Sequence, residues 1–430
     1  MARIPLRGKA TDMEVFLAIL GLFIVGLLGT SRFAYRFRRS RFMAALVGGG
    51  WLSVVVGALL GPEVTGLITR ETVYQTVPLL TVGLGWIGFI VGFQIRLSLL
   101  KQIPASMYTA VVLDAAITVA AVGALAYVGL RTWVGDAPLP ELWLALAVLV
   151  TATLGWKMEL RSVRLNRVAA ASMSLRVSGS LLAVLAIVIF GIATKAVGRD
   201  PDGTMVFLPE RGTLKLVHTL LLAGAIGVVG RILIRLAGSK FGHQLAVFLG
   251  IVAFTAGSAK QIGVSPLITT MLAGFVFANV NARGLVAFER FIFRAEHAMA
   301  VVFGMLAGIL LDPSIGPPGV LLACALVVLR AIYKPLIVRK TYRGGPGGPD
   351  PDTREALGFA TVRQSPLMLV LGVSLLLVEP SIFHKQILSV LVIAGIMSEF
   401  IPVIAGVAHH HHHHHADDHP AVADPEGDAT

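Results

Sequence analysis

The sequence predicts an all-α protein that crosses a membrane about 13 times. Composition is the first indication: hydrophobic residues make up 56% of the 430 positions and charged residues only 14%. A soluble chain of this length needs more charge to cover its surface, so lipid must surround most of the protein. Long apolar runs and an alternation of basic and acidic loops are the second and third indications.

The apolar runs are close to the length that an α-helix needs to cross a bilayer, and the shorter ones suit broken helices. They span residues 13–29, 42–61, 76–95, 107–130, 142–155, 169–197, 214–236, 244–259, 265–280, 298–311, 319–338, 357–378 and 382–405. The first run lacks a small-residue cleavage site and enters a basic loop, so we expect a retained helix rather than a signal peptide.

Alternate loops differ in charge. One set, rich in Arg and Lys, covers residues 31–41, 96–104, 157–167, 231–240, 282–297 and 339–345. The opposing set is neutral to acidic and covers residues 61–71, 131–141, 198–212, 312–319 and 379–385. The positive-inside rule places the basic set in the cytoplasm, which predicts a plasma (inner) membrane protein with its N-terminus outside and its C-terminus inside. Because the basic residues sit in short loops, no nucleic-acid partner is expected.

The loops do not carry the patterns of an enzyme. They hold no His-Glu zinc spacing, no Gly-rich phosphate loop and no Ser-His-Asp set, so neither an enzyme nor a cofactor or metal is predicted. Cys324 is the only cysteine of the chain, which excludes a thiolate metal site. Seven histidines, at 409–415, precede an acidic segment, and either a natural tail or a purification tag fits this pattern. Residues 409–430 are predicted to be a disordered cytoplasmic tail.

Several stretches, taken in order and spacing, resemble the cation:proton antiporter (sodium/proton exchanger) superfamily. They are GLGWIGFIVGFQIRLSLL (83–100), IGVSPLITTMLAGFVFAN (262–279), residues 288–312, LRAIYKPL (329–336), VRQSPLMLVLGVSLL (362–376) and residues 379–404. The resemblance implies an inverted-repeat secondary-transporter fold in which two broken helices cross in the middle of the membrane. Matching helices are seven spans apart, and an odd offset inverts their orientation.

The resemblance also implies a division into a moving core and a homodimerisation scaffold. Helices 1–3 (13–106) and 8–10 (244–311) would form the scaffold, and helix 7 (198–243) the linker. Helices 4–6 (107–197) and 11–13 (312–408) would form the core, while residues 1–12 would be an outer tail. The fifth span, with Thr151 and Thr153, and the twelfth, with Arg363 and Ser365, would be the broken helices, since polar side chains can satisfy freed backbone groups.

One departure from the family concerns its central carboxylates. In the family, the sixth span carries one or two aspartates that bind the cation and release protons, whereas Gly179 and Ser180 stand at those positions here. Asp114, inside the fourth span, is the best replacement, because an ionisable residue within a span is a functional candidate. Alternatively, Asp114 caps its helix or pairs with a nearby arginine.

The basic candidate is Lys334, which matches the family's central lysine. It would pair with another anion, such as Asp114 or a bound solute, or else extend to the membrane surface. Arg176 shares a helical face with Ser180, and Ser178 lies on an adjacent stripe, where small polar residues also serve as packing contacts. The candidate ion-binding residues are Asp114, Thr151, Thr153, Arg176, Ser178, Ser180, Lys334, Arg363 and Ser365.

Three functions remain open at this point. The first is antiport of a monovalent cation against protons by alternating access. The second is transport of an anion or organic solute on the same scaffold, because half-helix N-termini beside basic side chains attract anions. The third is a transport-dead sensor or partner subunit.

Overall fold

A computed structural model describes most of the chain beyond its N-terminal region. The described residues are 50–101, 105–135, 137–155, 169–202, 204–238, 240–279, 286–341 and 351–417. The first predicted span, 13–29, therefore lies outside the described residues, as do 1–12 and 418–430.

The described residues confirm an all-α polytopic architecture. The helices are α1 (Trp51–Leu60), α2 (Arg70–Gln75), α3 (Val77–Phe93), α4 (Leu97–Leu100), α5 (Ala105–Ile117), α6 (Gly123–Val134), α7 (Leu139–Leu154), α8 (Ala169–Lys195), α9 (Pro209–Leu236), α10 (Phe241–Ile262), α11 (Pro266–Asn279), α12 (Val286–Ile309), α13 (Gly316–Thr341), α14 (Pro351–Ala360), α15 (Leu367–Val378) and α16 (Ile382–Asp417). A two-stranded antiparallel hairpin, β1 (Val197–Arg199) and β2 (Met205–Phe207), joins α8 to α9. Every predicted span from the second onward has a helical counterpart.

Six helices within the described residues are long and apolar enough to cross a membrane. They cover Met107–Val134, Val177–Lys195, Gly212–Leu236, Phe241–Ile262, Pro313–Thr341 and Ile382–Ile404. Shorter apolar helices, such as α7 and α15, pack among them. Large apolar side chains on α9, including Leu221 and Leu236, are exposed, as expected of a surface in contact with lipid.

Helices α3 and α11 pack closely because glycines remove the side chains between them. A Cβ atom added at Gly92 of α3 would overlap the carbonyl oxygen of Met271 in α11, and one at Gly274 would overlap the carbonyl oxygen of Phe89. Beside this contact, Phe89, Phe248 and other aromatic side chains of α3, α10 and α11 form a separate apolar cluster. These helices belong to the predicted scaffold.

We therefore expect Gly92→Leu to destabilise the fold by about 3 kcal/mol or more, since α3 and α11 must move apart. Gly224→Leu is the matched control, because a Cβ atom at Gly224 of α9 has no atom within 4 Å. Thermal unfolding of the two purified variants in detergent measures the difference. Equal unfolding temperatures would contradict the close approach of α3 and α11.

The helices predicted to form the core contain one π-helical turn and, among the described residues, one break. The fourth span is continuous but contains a π-helical turn, Thr118–Val122, between α5 and α6. The twelfth span is broken, as predicted: α14 ends at Ala360 and α15 begins at Leu367. In the fifth span, α7 ends at Leu154 and Gly155 is extended, while residues 156–168 lie outside the described part.

Among the boundaries that differ from the sequence-based expectation, two show the longest helical extensions. Helix α12 begins at Val286, inside the segment 282–297 that was predicted to be a basic loop. Helix α16 continues through the histidine run to Asp417, whereas a disordered tail was predicted from residue 409. In both places a polar segment extends an apolar helix, and adding residues to a helix that has already nucleated costs little free energy.

Candidate functional site

A buried ion pair joins α5 to α13. Lys334 is only 1% exposed, and its Nζ lies 2.7 Å from each carboxylate oxygen of the buried Asp114. The ammonium group also donates to the carbonyl oxygen of Leu154 at the end of α7, at 3.3 Å. Its three hydrogens therefore all have acceptors, and Lys334 does not extend to the membrane surface. Asp114 faces a lysine rather than an arginine or a helix end.

A second pair of side chains lies beside the ion pair. The Thr118 hydroxyl donates to Asp114 Oδ1 at 3.3 Å and lies 2.9 Å from the Tyr333 hydroxyl. Because Thr118 has one hydrogen to donate, Tyr333 is the donor to Thr118 in this arrangement. Thr118 opens the π-helical turn, and such turns often occur at functional sites. The turn thus places two oxygen atoms, from Asp114 and Thr118, against α13.

Arg330 lies one helical turn before Lys334 and binds both the end of α7 and the peptide that follows α14. It is fully buried, and its guanidinium donates to five backbone carbonyl oxygens. The acceptors at the end of α7 are Thr153 and Gly155, and those after α14 are Thr361, Val362 and Arg363. Carbonyl groups at helix C-termini carry partial negative charge, so one guanidinium neutralises both half-helix ends where they meet.

The peptide between α14 and α15 carries further candidates. Arg363 Nε lies 3.4 Å from a carboxylate oxygen of Glu399 in α16. The backbone N–H of Ser365 donates to the Gly155 carbonyl oxygen at 3.4 Å, and the Ser365 hydroxyl accepts from the N–H of Leu367. Both amide atoms of the Gln364 side chain are buried without a hydrogen-bond partner. The end of the fifth span and the break in the twelfth therefore touch directly, next to a buried Gln364 amide without a hydrogen-bond partner.

The hydroxyl groups of the two threonines in the fifth span do not donate hydrogen bonds to this site. Thr151 and Thr153 are buried, and each hydroxyl donates to carbonyl oxygens of the preceding turn of α7. Thr153 contributes its backbone carbonyl, which Arg330 binds. Ser178 is buried in α8. The side chain of Arg176 lies outside the described part of the chain.

Ser180 faces α3, part of the predicted scaffold, instead of Lys334. Its hydroxyl donates to Gln94 Oε1 at 3.0 Å, just after α3. The Gln94 amide nitrogen then donates to Glu296 Oε2 in α12, at 3.2 Å. The candidate residues thus divide between two places. Asp114 and Lys334 join α5 to α13 near the break that carries Arg363 and Ser365, whereas Ser180 lies at the boundary with α3 and α12.

Sequence reasoning missed Arg330, Tyr333, Thr118, Gln94 and Glu296. Arg330 carried a usable signal, since an arginine in an apolar run, four residues before Lys334, is an intramembrane charge on the same helical face. The other four are ordinary polar residues whose partners lie on other helices, and no spacing along the chain marks them.

Within the described residues, Arg330 joins the end of α7 to the break between α14 and α15, next to the ion pair of Asp114 and Lys334. The fold is similar to the sodium proton antiporter from Methanocaldococcus jannaschii, solved at pH 8. The TM-score is 0.61 at 18% sequence identity, and the alignment covers 92% of this chain and 98% of the antiporter chain. No family profile and no curated protein sequence matches this chain. The chain therefore has a cation:proton antiporter-like fold.

Proposed function

We propose that this protein is a secondary transporter that exchanges a monovalent cation for a proton, with Asp114 and Lys334 as the coupling pair. The buried contact between these two side chains, beside the interrupted spans, is the observation that carries the proposal. An ionisable pair is costly to bury, and replacement by apolar residues is often neutral or stabilising. Fold stability therefore does not account for this buried pair, whereas ion transport at the interrupted helices does.

The Lys334 ammonium occupies a place that suits a small cation. Its acceptors are both oxygens of Asp114 and the Leu154 carbonyl oxygen, and Thr118 Oγ1 lies next to them. When Lys334 withdraws, these oxygens become ligands for a dehydrated or partly hydrated monovalent cation. A lysine that loses its carboxylate partner in a buried site releases its proton, because burial disfavours its charged form.

Charge counting gives the stoichiometry of this exchange. With Lys334 protonated, the pair is neutral, and with a cation on Asp114 and Lys334 deprotonated, it is neutral again. Gly179 and Ser180 provide no further carboxylate on the sixth span. The pair therefore carries one proton one way for each cation carried the other way, without net charge transfer.

Further features belong to the same proposal. Helices α5–α8 and α13–α16 would move as a core against a homodimeric scaffold that contains α1, α3 and α10–α12, with α9 as the linker. Alternating access would then expose Asp114 to either side of a plasma (inner) membrane. The basic loops support a cytoplasmic C-terminus and an outer N-terminus. Protons, a monovalent cation and the lipid bilayer are the partners implied.

A second candidate function is transport of an anion or organic acid. Around the crossing, the described basic side chains are Arg330, Lys334 and Arg363, and the described acidic ones are Asp114 and Glu399. Three positive charges against two negative charges leave one positive charge in excess. An anion would neutralise that excess, whereas a cation exchanged for a proton leaves it unchanged.

Proteoliposomes that contain a pH-sensitive dye and an imposed proton gradient test the proposal. We expect added Na⁺, Li⁺ or K⁺ to collapse the gradient whichever anion accompanies it, and protein-free liposomes serve as the control. Dependence on the anion at a constant cation would favour the second candidate. If neither a change of cation nor a change of anion alters the proton gradient, while a known antiporter responds in the same lipid, transport is contradicted. A sensor or partner subunit is then favoured.

A further inference from the structure

A chain of polar side chains crosses from α8 to α3 and α12. It runs from the Ser180 hydroxyl through the Gln94 amide to the Glu296 carboxylate, with donor–acceptor distances of 3.0 and 3.2 Å. All three side chains are partly buried. Helix α8 belongs to the proposed core, whereas α3 and α12 belong to the proposed scaffold. The contact therefore joins two bodies that must separate or slide during alternating access.

The carboxylate at the end of this chain differs from three other buried or partly buried ones, each of which faces a basic side chain, and is like that of Asp312, which accepts from Ser314. Asp114 faces Lys334, Glu399 faces Arg363 and Glu379 faces Arg199. Among the described side chains, by contrast, Glu296 accepts a hydrogen bond from Gln94, and no basic group lies within ion-pair distance of it. A partly buried carboxylate without a basic partner is a favourable place for a cation, since a cation compensates its lost hydration.

We propose that Ser180, Gln94 and Glu296 form a second cation site, at the boundary between core and scaffold, through which the cation reaches Asp114. The identity of the ligand as a monovalent cation rests on the proposed function. Ser180 Oγ, Gln94 Oε1 and a Glu296 oxygen supply hard oxygen ligands with one full negative charge, the chemistry that such ions prefer. When the cation binds, the Ser180 hydroxyl hydrogen turns away from it, and the Gln94 side-chain amide rotates so that Oε1 faces the ion.

The ligands of this site come from both sides of the boundary. Ser180 supplies an oxygen ligand from α8, and the scaffold supplies the negative charge from the opposite side. Because Glu296 stays on the scaffold, it does not carry the ion across the membrane. It concentrates the cation at the entrance and releases it to the core, so the one-to-one exchange at Asp114 is unchanged.

Cation-dependent thermal stabilisation of purified protein in detergent tests the site without requiring transport. We expect Na⁺ or Li⁺ to raise the unfolding temperature of the wild type and of Asp114→Asn. Glu296→Gln should raise the cation concentration needed for half of that shift by at least about tenfold. Asp202→Asn, an exposed carboxylate in the hairpin turn, is the matched control and should behave as the wild type.

Transport kinetics provide a second measurement. Glu296→Gln should raise the KM for the cation by a similar factor and leave kcat within about twofold of the wild type. Ser180→Ala removes only a hydroxyl group, so it should raise KM by a smaller factor. This variant provides the test if Glu296→Gln fails to fold. A purely structural bridge between the helices predicts lower stability in both variants, with no change in the half-maximal cation concentration.

The two proposals fail differently. If the wild type exchanges cations but neither variant changes KM or the cation-dependent shift, the boundary site is overturned and the role of Asp114 stands. If the wild type exchanges no cation, yet cations stabilise it and Glu296→Gln weakens that effect, the boundary site stands and the proposed exchange is overturned.

Discussion

Asp114→Asn is expected to reduce cation-driven proton exchange by at least about 100-fold. The amide keeps the size of the carboxylate but loses its charge, so neither a cation nor the Lys334 ammonium retains an anionic partner. Breaking a buried ion pair by removing one partner costs about 3–5 kcal/mol of folding free energy, which deprotonation of Lys334 partly relieves. Dye-based exchange and thermal unfolding should be measured on the same preparation.

A double variant separates loss of stability from loss of coupling. Asp114→Asn with Lys334→Met removes both buried charges, so we expect it to unfold nearer to the wild-type temperature than Asp114→Asn alone does. Exchange should remain absent in the double variant. Recovery of exchange together with stability would show that the pair serves folding only.

Arg330→Met is expected to have the largest effect on stability. It removes the guanidinium donor from the buried carbonyl oxygens of two half-helix ends. Gly155 keeps the Ser365 N–H as a donor, but each carbonyl left without one costs about 1–3 kcal/mol. We expect the loss to exceed about 5 kcal/mol and little folded protein to accumulate. Arg330→Lys keeps the charge but cannot span both peptides with its three hydrogens, so it should be intermediate.

The control for Arg330 lies on the same helix. Arg339 is exposed near the end of α13, and Arg339→Met should fold and unfold as the wild type does. Size-exclusion profiles and unfolding temperatures in detergent provide the comparison. If Arg330→Met is as stable as Arg339→Met, the guanidinium does not hold the two interrupted spans together.

The spans could be predicted from local properties of the sequence, whereas the break in the twelfth helix was implied by the family resemblance and agreed with local polarity. Apolar run length determines which segments span the membrane, and Arg363 to Pro366 interrupt an otherwise apolar run. The extension of α12 back to Val286 was missed, since a charged segment at the membrane surface has the same composition whether it is a loop or a helix.

Asp114 and Lys334 could be named as candidates from the sequence, the first as an ionisable residue inside a span and the second through its match to the family's central lysine. Their pairing joins residues 220 positions apart, and helical periodicity does not specify which helices become neighbours. For the same reason, the partner of Ser180 could not be read from its own helix, because Gln94 and Glu296 belong to helices far away in the sequence. Tertiary packing decides these contacts.

The coupling of one cation to one proton by Asp114 and Lys334 is tested most directly by measuring both fluxes in one liposome population. Radiolabelled Na⁺ uptake and dye-reported proton release should be recorded at a clamped membrane potential. A flux ratio of one, independent of the potential, is the result expected from this single pair. A ratio of two or more protons per cation, or exchange that varies with the potential, would contradict it.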